Sequence, residues 1–235
     1  MGSIQSKKRR KMERVRNLMI RTAKELFTKK SYEEVTMEEI AEEALLSKAT
    51  LYNYFQNKEA LLFSIGIDDI IKVVMILKNL DFTGKSGLER LIILLRETIS
   101  FFLNNPLALD IISRFQSYQY QSEEKTQEIS KKFEDLVNEK INILEINSME
   151  IILPFLLKTY LEFADLYRLT VQEGMKDGSI KSDLDLNQTL VFLNLFFFGI
   201  VNQIQKNQNQ IKNAGLKIDK IVNIFLSLIE TYLKS

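Results

Sequence analysis

Three helix starts crowd into the segment from Thr36 to Asn57, and that crowding limits the folds open to this chain more than any other feature. Thr36-Met-Glu-Glu39 reads as a capping box: the Thr36 hydroxyl accepts from the Glu39 amide and the Glu39 side chain reaches back. Ser47 is a second N-cap, opening a short helix that ends near Phe55. Asn57 is a third, opening a long helix to near Leu80. Few folds pack helices this short against one another.

The apolar residues inside this segment fit two short crossed helices. Ile40, Ala41 and Ala44 face inward from the first, Leu46 follows the turn, and Leu51 and Phe55 anchor the second. Ala41 is small where the helices cross. Outward, the second helix offers Ser47, Lys48, Thr50, Tyr52, Asn53 and Tyr54, hydrogen-bonding and aromatic side chains with no negative charge. Tyr and Asn can reach base edges in a major groove, and Lys48 favours phosphate. Upstream, Val15, Leu18, Met19, Ala23, Leu26 and Phe27 recur at helical spacing, so one amphipathic helix runs from Lys11 to near Lys30. Arg14, Arg16 and Arg21 read as its surface charges. Residues 1–10 read as a flexible basic arm, either a solvated tail or a phosphate or minor-groove contact through Lys7–Lys11.

Charge divides along the same line. Residues 1–60 hold 13 Lys and Arg against 9 Asp and Glu; the rest holds 19 against 22. A basic head on a slightly acidic body is the asymmetry expected if only the head meets phosphate. The chain has no Cys and no His, which removes disulfides, thiol nucleophiles, imidazole chemistry and ordinary zinc sites. No cofactor, metal site or catalytic role is expected.

The run TMEEIAEEALLSKATLYNYFQNKEAL resembles the DNA-binding domain of the tetracycline-repressor (TetR) family, over roughly residues 11–65. Its most specific parts are I-A, S-K-A-T-L-Y-x-Y-F and N-K-E-A-L. The resemblance implies an all-α protein: an N-terminal three-helix helix-turn-helix head, and a larger helical body for ligand binding and dimerisation. It implies Thr36, Ser47 and Lys58 toward phosphates, and Lys48, Ala49, Thr50, Tyr52, Asn53 and Tyr54 at the groove. One departure is Leu45, where the family carries Gly for a left-handed backbone; Leu there costs on the order of 1 kcal/mol. Either the turn is shaped differently or packing of Leu45 compensates.

The division is then 1–58, arm and head, and 59–235, body. In the body, Asp81–Gly87 is a loop, and helices are expected over Leu88–Leu103, from Asn105-Pro106, from Ser122 to near Ile146, and over 150–177, 187–206 and 216–234. The loop GSIKSDLDL from Gly178 looks like the family's connection into its last two helices, and the apparent extra helix falls near 121–148. Aromatic and polar residues of the body, Phe101, Asn104, Phe115, Gln116, Tyr118, Phe155, Tyr160, Phe163 and Tyr167, are candidate ligand walls, though each alone fits core packing as well. The run Leu190–Ile204 is apolar nearly all round, with Gly199 permitting close approach; with 218–233 it suits a homodimer interface. It is interrupted by Asn194 and too short for a membrane span.

The expectation is therefore a cytoplasmic, ligand-responsive repressor. It binds double-stranded operator DNA as a homodimer through its last two helices, makes no membrane contact, and is released by a small apolar, amphipathic or aromatic effector. The competing reading is a helical ligand sensor or carrier without specific DNA binding; an all-α enzyme has no recognisable residue set behind it.

Overall fold

The computed structural model describes residues 2–119, 131 and 148–234, and among these the chain is helical with no β-strand. The helices are α1 (Gly2–Lys29), α2 (Met37–Glu43), α3 (Lys48–Tyr54), α4 (Lys58–Lys78), α5 (Gly87–Asn104) and α6 (Pro106–Gln119). They continue with α7 (Met149–Asp177), α8 (Leu186–Lys206), α9 (Gln208–Asn213) and α10 (Ile218–Leu233). The expected helix from Ser122 to Ile146 lies, apart from residue 131, outside the described residues. Two compact units form: one from the described residues of Met1–Ile70 and Asp110–Tyr160, the other from Ile71–Leu109 and Leu161–Ser235.

In the first unit the core is built where the apolar periodicity predicted. Met19, Ala23, Leu26 and Phe27 of α1 are buried with Ile40 and Ala41 of α2, Leu51 of α3, and Phe55. The basic arm differs from expectation, because α1 begins at Gly2. Lys, Arg and Gln are good helix formers, no breaker separates them from the amphipathic stretch, and Arg9 pairs with Glu13 one turn on at 3.0 Å. Arg16 also departs from its reading as a surface charge. It is buried, its guanidinium 5.5 Å from the Phe55 ring centre, and burial lowers its pKa against the opposing pull of Asp68. Nearby, Lys24 Nζ donates to both carboxylate oxygens of Asp69, each at 2.7 Å, tying α1 to α4.

Within the same unit α4 and α6 approach closely. A β-carbon on Gly66 would stand 2.4 Å from Ile111 Cγ2, so this crossing has room only for glycine unless Ile111 moves.

In the second unit α5 is the centre. Leu88, Leu91, Leu95, Ile99 and Phe102 form its buried stripe, and it packs on α8 and α10. Ser86 and Glu89 complete a reciprocal capping box at its start. That start is pinned on the end of α7: Gly87 N donates to Asp177 Oδ2 at 2.7 Å, and a β-carbon on Gly87 would lie 2.2 Å from Gly174 N. Asn105 does not cap α6 through its side chain as expected; its amide turns back to donate to Phe101 O at 2.8 Å. Gly178 adopts φ 77°, ending α7, and Asp185 caps α8 by accepting from Gln188 N at 2.8 Å.

Candidate nucleic-acid interface

The α2–α3 corner is set by two caps and a turn. Thr36 Oγ1 accepts from Glu39 N at 3.1 Å, which is half of the expected box. Glu39 does not reach back as expected; its carboxylate accepts from Lys30 Nζ, a charge-assisted partner that competes with the neutral amide. Ser47 Oγ accepts from Thr50 N at 3.1 Å and shares a 2.7 Å hydrogen bond with Thr50 Oγ1. Asn57 Oδ1 accepts from Ala60 N at 2.8 Å, so the third cap is also in place.

Between the caps, the turn keeps the left-handed conformation that favours glycine. Leu45 has φ 56°, Leu46 N donates to Ala41 O at 2.8 Å, and Leu45 N donates to Glu42 O at 2.9 Å. This pair of bonds is a Schellman motif, which saturates the last carbonyls of α2. The Leu45 side chain is 92% exposed, so packing does not offset the backbone cost.

The corner holds α3 with Leu51 inward and Lys48, Ala49, Tyr52 and Asn53 outward; Thr50 and Tyr54 are half-buried. Tyr52 is 41% exposed, high for so large an aromatic side chain. Lys48, the one charged residue of α3, pairs with Glu38 of α2 and lies 5.8 Å from the Tyr52 ring centre. Thr36 and Ser47 are exposed at their caps. Lys58 stands apart. Its ammonium donates to Tyr32 O and Val35 O at 2.7 Å and to Glu33 O at 3.4 Å, and lies 4.3 Å from the Tyr32 ring centre. An ammonium has three protons, so in this conformation Lys58 ties down the α1–α2 loop and has none left for a phosphate.

From α6, Arg114 reaches the same loop, which no local pattern in the sequence announces. It donates to Glu33 at 3.1 Å, pairs with Asp110 at 3.0 Å, and its guanidinium lies 4.7 Å from the Tyr32 ring centre. Burial and the nearby Glu59 raise the Tyr32 pKa, while a hydrogen bond from the backbone N–H of Glu33 and then one from Arg114 hold the Glu33 carboxyl below the usual range.

The body residues proposed as ligand walls divide between the two units. Phe101, Phe163 and Tyr167 pack around Val73, Leu77 and Leu94 in the second unit. Tyr167 is half-buried against that core: its hydroxyl meets Thr98 Oγ1 at 2.5 Å and Leu94 O at 3.2 Å, and burial of the hydroxyl pushes its pKa up. Asn104 is exposed and lines an open cleft of about 470 Å³ with Arg96, Ser100, Gln208 and Asp219. Phe155 and Tyr160 belong to the first unit and are half-buried. Phe115, Gln116 and Tyr118 lie on α6, with side chains outside the described residues.

A helix-turn-helix head joined to a larger helical body is the class that this fold and site define. Residues 19–65 match the model of the family described as "Bacterial regulatory proteins, tetR family". An uncharacterized HTH-type transcriptional regulator of Bacillus subtilis, YuxN, is 45% identical over 53 residues, which cover 23% of this chain and 18% of that protein. The fold as a whole resembles a tetR-family regulatory protein of Rhodococcus RHA1, with TM-score 0.65, 14% identity and coverage of 94% and 97% of the two chains. It also resembles FadR of Bacillus subtilis, solved in complex with stearoyl-CoA, with TM-score 0.61, 19% identity and coverage of 92% and 98%. A third likeness is to the ketosteroid transcriptional regulator KstR2 of Mycobacterium tuberculosis, with TM-score 0.59, 14% identity and coverage of 94% and 95%. No single helix among the described residues is long and apolar enough to cross a membrane.

Proposed function

We propose that this chain is a transcriptional repressor that binds double-stranded operator DNA as a homodimer and is released by a small apolar or amphipathic effector. The observation that carries the reading is the outer face of α3. It offers Lys48, Tyr52 and Asn53 without a carboxylate, on a head that matches the TetR family model. Such side chains can donate to or accept from base edges, while exposed caps and lysines of the head meet phosphate.

The dimer reading rests on the second unit. Val191, Leu195 and Phe196 of α8 and Ile224, Leu228 and Tyr232 of α10 are exposed, and a β-carbon on Gly199 would meet nothing within 4 Å. Apolar stripes on the last long helices, beside an open glycine, fit a self-complementary face. Reading two half-sites one turn of B-DNA apart requires two copies of α3 about 34 Å apart. The effector reading is supported by FadR, solved with stearoyl-CoA, and by the ketosteroid regulator KstR2. Residues 1–58 then serve as the DNA-reading domain and 59–235 as the effector and dimer domain, acting in the cytoplasm with no catalytic role. The effector acts only through its differential affinity for the DNA-competent and incompetent states, with α4 carrying the difference to the head.

The test is a footprint of the purified protein on the DNA flanking its own gene. Two protected half-sites about one helical turn apart support the reading; no protection at any concentration that saturates random DNA sinks it.

A further inference from the structure

The one cation of α3 is paired with a carboxylate of the same chain. Lys48 Nζ is paired with Glu38 Oε1, and both side chains are exposed, so burial does not force them together. The hydrogen bond from Lys48 holds the Glu38 carboxyl below the usual carboxylate range, and Glu38 raises the Lys48 ammonium. The helix that borders α3 is itself acidic: Glu38, Glu39, Glu42 and Glu43 occupy four of its seven positions. Glu39 is taken by Lys30, while Glu42 and Glu43 are exposed. A head built only to adhere to a polyanion would not set a carboxylate beside its one recognition-helix cation.

We propose that Glu38 is a specificity-determining residue. It positions Lys48 over Tyr52 as a donor to the groove and withholds that lysine from the phosphates of non-operator DNA. This rests on the DNA-binding reading of α3. Non-specific binding is supplied almost wholly by phosphate neutralisation and counterion release. On such DNA, Lys48 brings the Glu38 carboxylate to the same phosphates whether the pair holds or opens, so the gain from neutralisation is largely cancelled. On the operator the acceptor is a neutral base edge, which the carboxylate does not repel. An ammonium has three protons, so Lys48 can keep Glu38 and still donate to an acceptor such as guanine O6 or N7. Glu38 therefore lowers affinity for all DNA, but most for the wrong DNA.

The experiment uses the full chain with Glu38→Gln, a neutral side chain of the same size at an exposed position. Binding is followed by fluorescence anisotropy on two duplexes of equal length. One is selected by the native protein from random-sequence DNA and the other is its scramble; KCl runs from about 50 to about 200 mM. The expected result is tighter binding of E38Q to the scramble, with a log–log salt slope steeper by about 0.9 for each head. Affinity for the selected duplex rises less, so discrimination falls several-fold. The change should vanish when Lys48→Gln is also present. Equal strengthening on both duplexes, or no change on either while the native protein discriminates, overturns the role of Glu38 alone. A native protein that prefers no duplex overturns the DNA-binding reading and this inference with it.

Discussion

The Arg114 guanidinium of α6 stands 4.7 Å from the centre of the Tyr32 ring, in the loop that leads into the helix-turn-helix. Lys58 occupies a second position at that ring, at 4.3 Å, and satisfies three loop carbonyls. The two cations hold the α1–α2 loop differently, and their removal should separate. Lys58→Met leaves half-buried carbonyls without a charged donor and should destabilise the head by about 1.5–3 kcal/mol. Arg114→Ala removes two partly exposed ion pairs, to Glu33 and Asp110, and a cation–π contact, worth about 1 kcal/mol together. Urea unfolding gives both values, and amide exchange in residues 31–36 should quicken more for Lys58→Met. The reverse order would contradict the assignment of Lys58 as the principal tie.

Leu45→Gly should stabilise the protein by about 1 kcal/mol, because the turn needs a positive φ that glycine adopts freely. The leucine side chain is 92% exposed and contributes no packing to lose. A melting temperature raised by a few degrees is the expected readout; a lowered one would mean the side chain has a role in the fold that its exposure conceals.

Gly66→Ala gains helix propensity of about 1 kcal/mol but drives a β-carbon to 2.4 Å from Ile111 Cγ2. Overpacking of this kind costs roughly 1–3 kcal/mol, so net destabilisation is expected. Ile111→Ala alone should also destabilise, by leaving a cavity. In the double variant the two costs should sum to less than the singles, since each relieves the other. Strict additivity would show that α4 and α6 do not press on one another there.

Tyr167 links titration to stability. Its phenol is buried against Thr98 and Leu94 O, and burial raises its pKa in the folded state. The folded protein then holds this proton more tightly than the unfolded chain. The contribution is complete below the unfolded value of about 10 and is lost as pH climbs above it. Tyr167→Phe should cost about 1 kcal/mol at neutral pH through the lost hydrogen bonds, yet fall less steeply above about pH 10. Parallel pH–stability curves for the two proteins would contradict the burial.

What was legible in the sequence was local. The caps at Ser47 and Asn57 and the apolar residues of α1 to α3 sit where spacing and side-chain chemistry put them. The left-handed turn at Leu45 appears despite the missing glycine, because the Schellman bonds need that backbone whatever the side chain. Competition between partners was not legible. Glu39 could cap Thr36 or take Lys30, and only the fold brings Lys30 near. Arg16 reads as a surface charge in the sequence, and its burial goes with a tertiary neighbour, the Phe55 ring 5.5 Å from its guanidinium. Arg114 meets Glu33 across 81 residues, a distance no periodicity spans. The ligand walls were least legible, since an aromatic residue at helical spacing fills a core and lines a cavity equally well; Tyr167 packs half-buried against Val73, Leu77 and Leu94 with its hydroxyl on Thr98.

The central claim, that the outer face of α3 reads operator DNA, is tested most directly through Tyr52→Ala. Tyr52 is exposed on α3, so its loss should leave fold and oligomeric mass unchanged. On the selected duplex, measured by fluorescence anisotropy, affinity should fall to the level of the scramble while the salt slope on the scramble stays the same. Undiminished affinity and discrimination in Tyr52→Ala would contradict it.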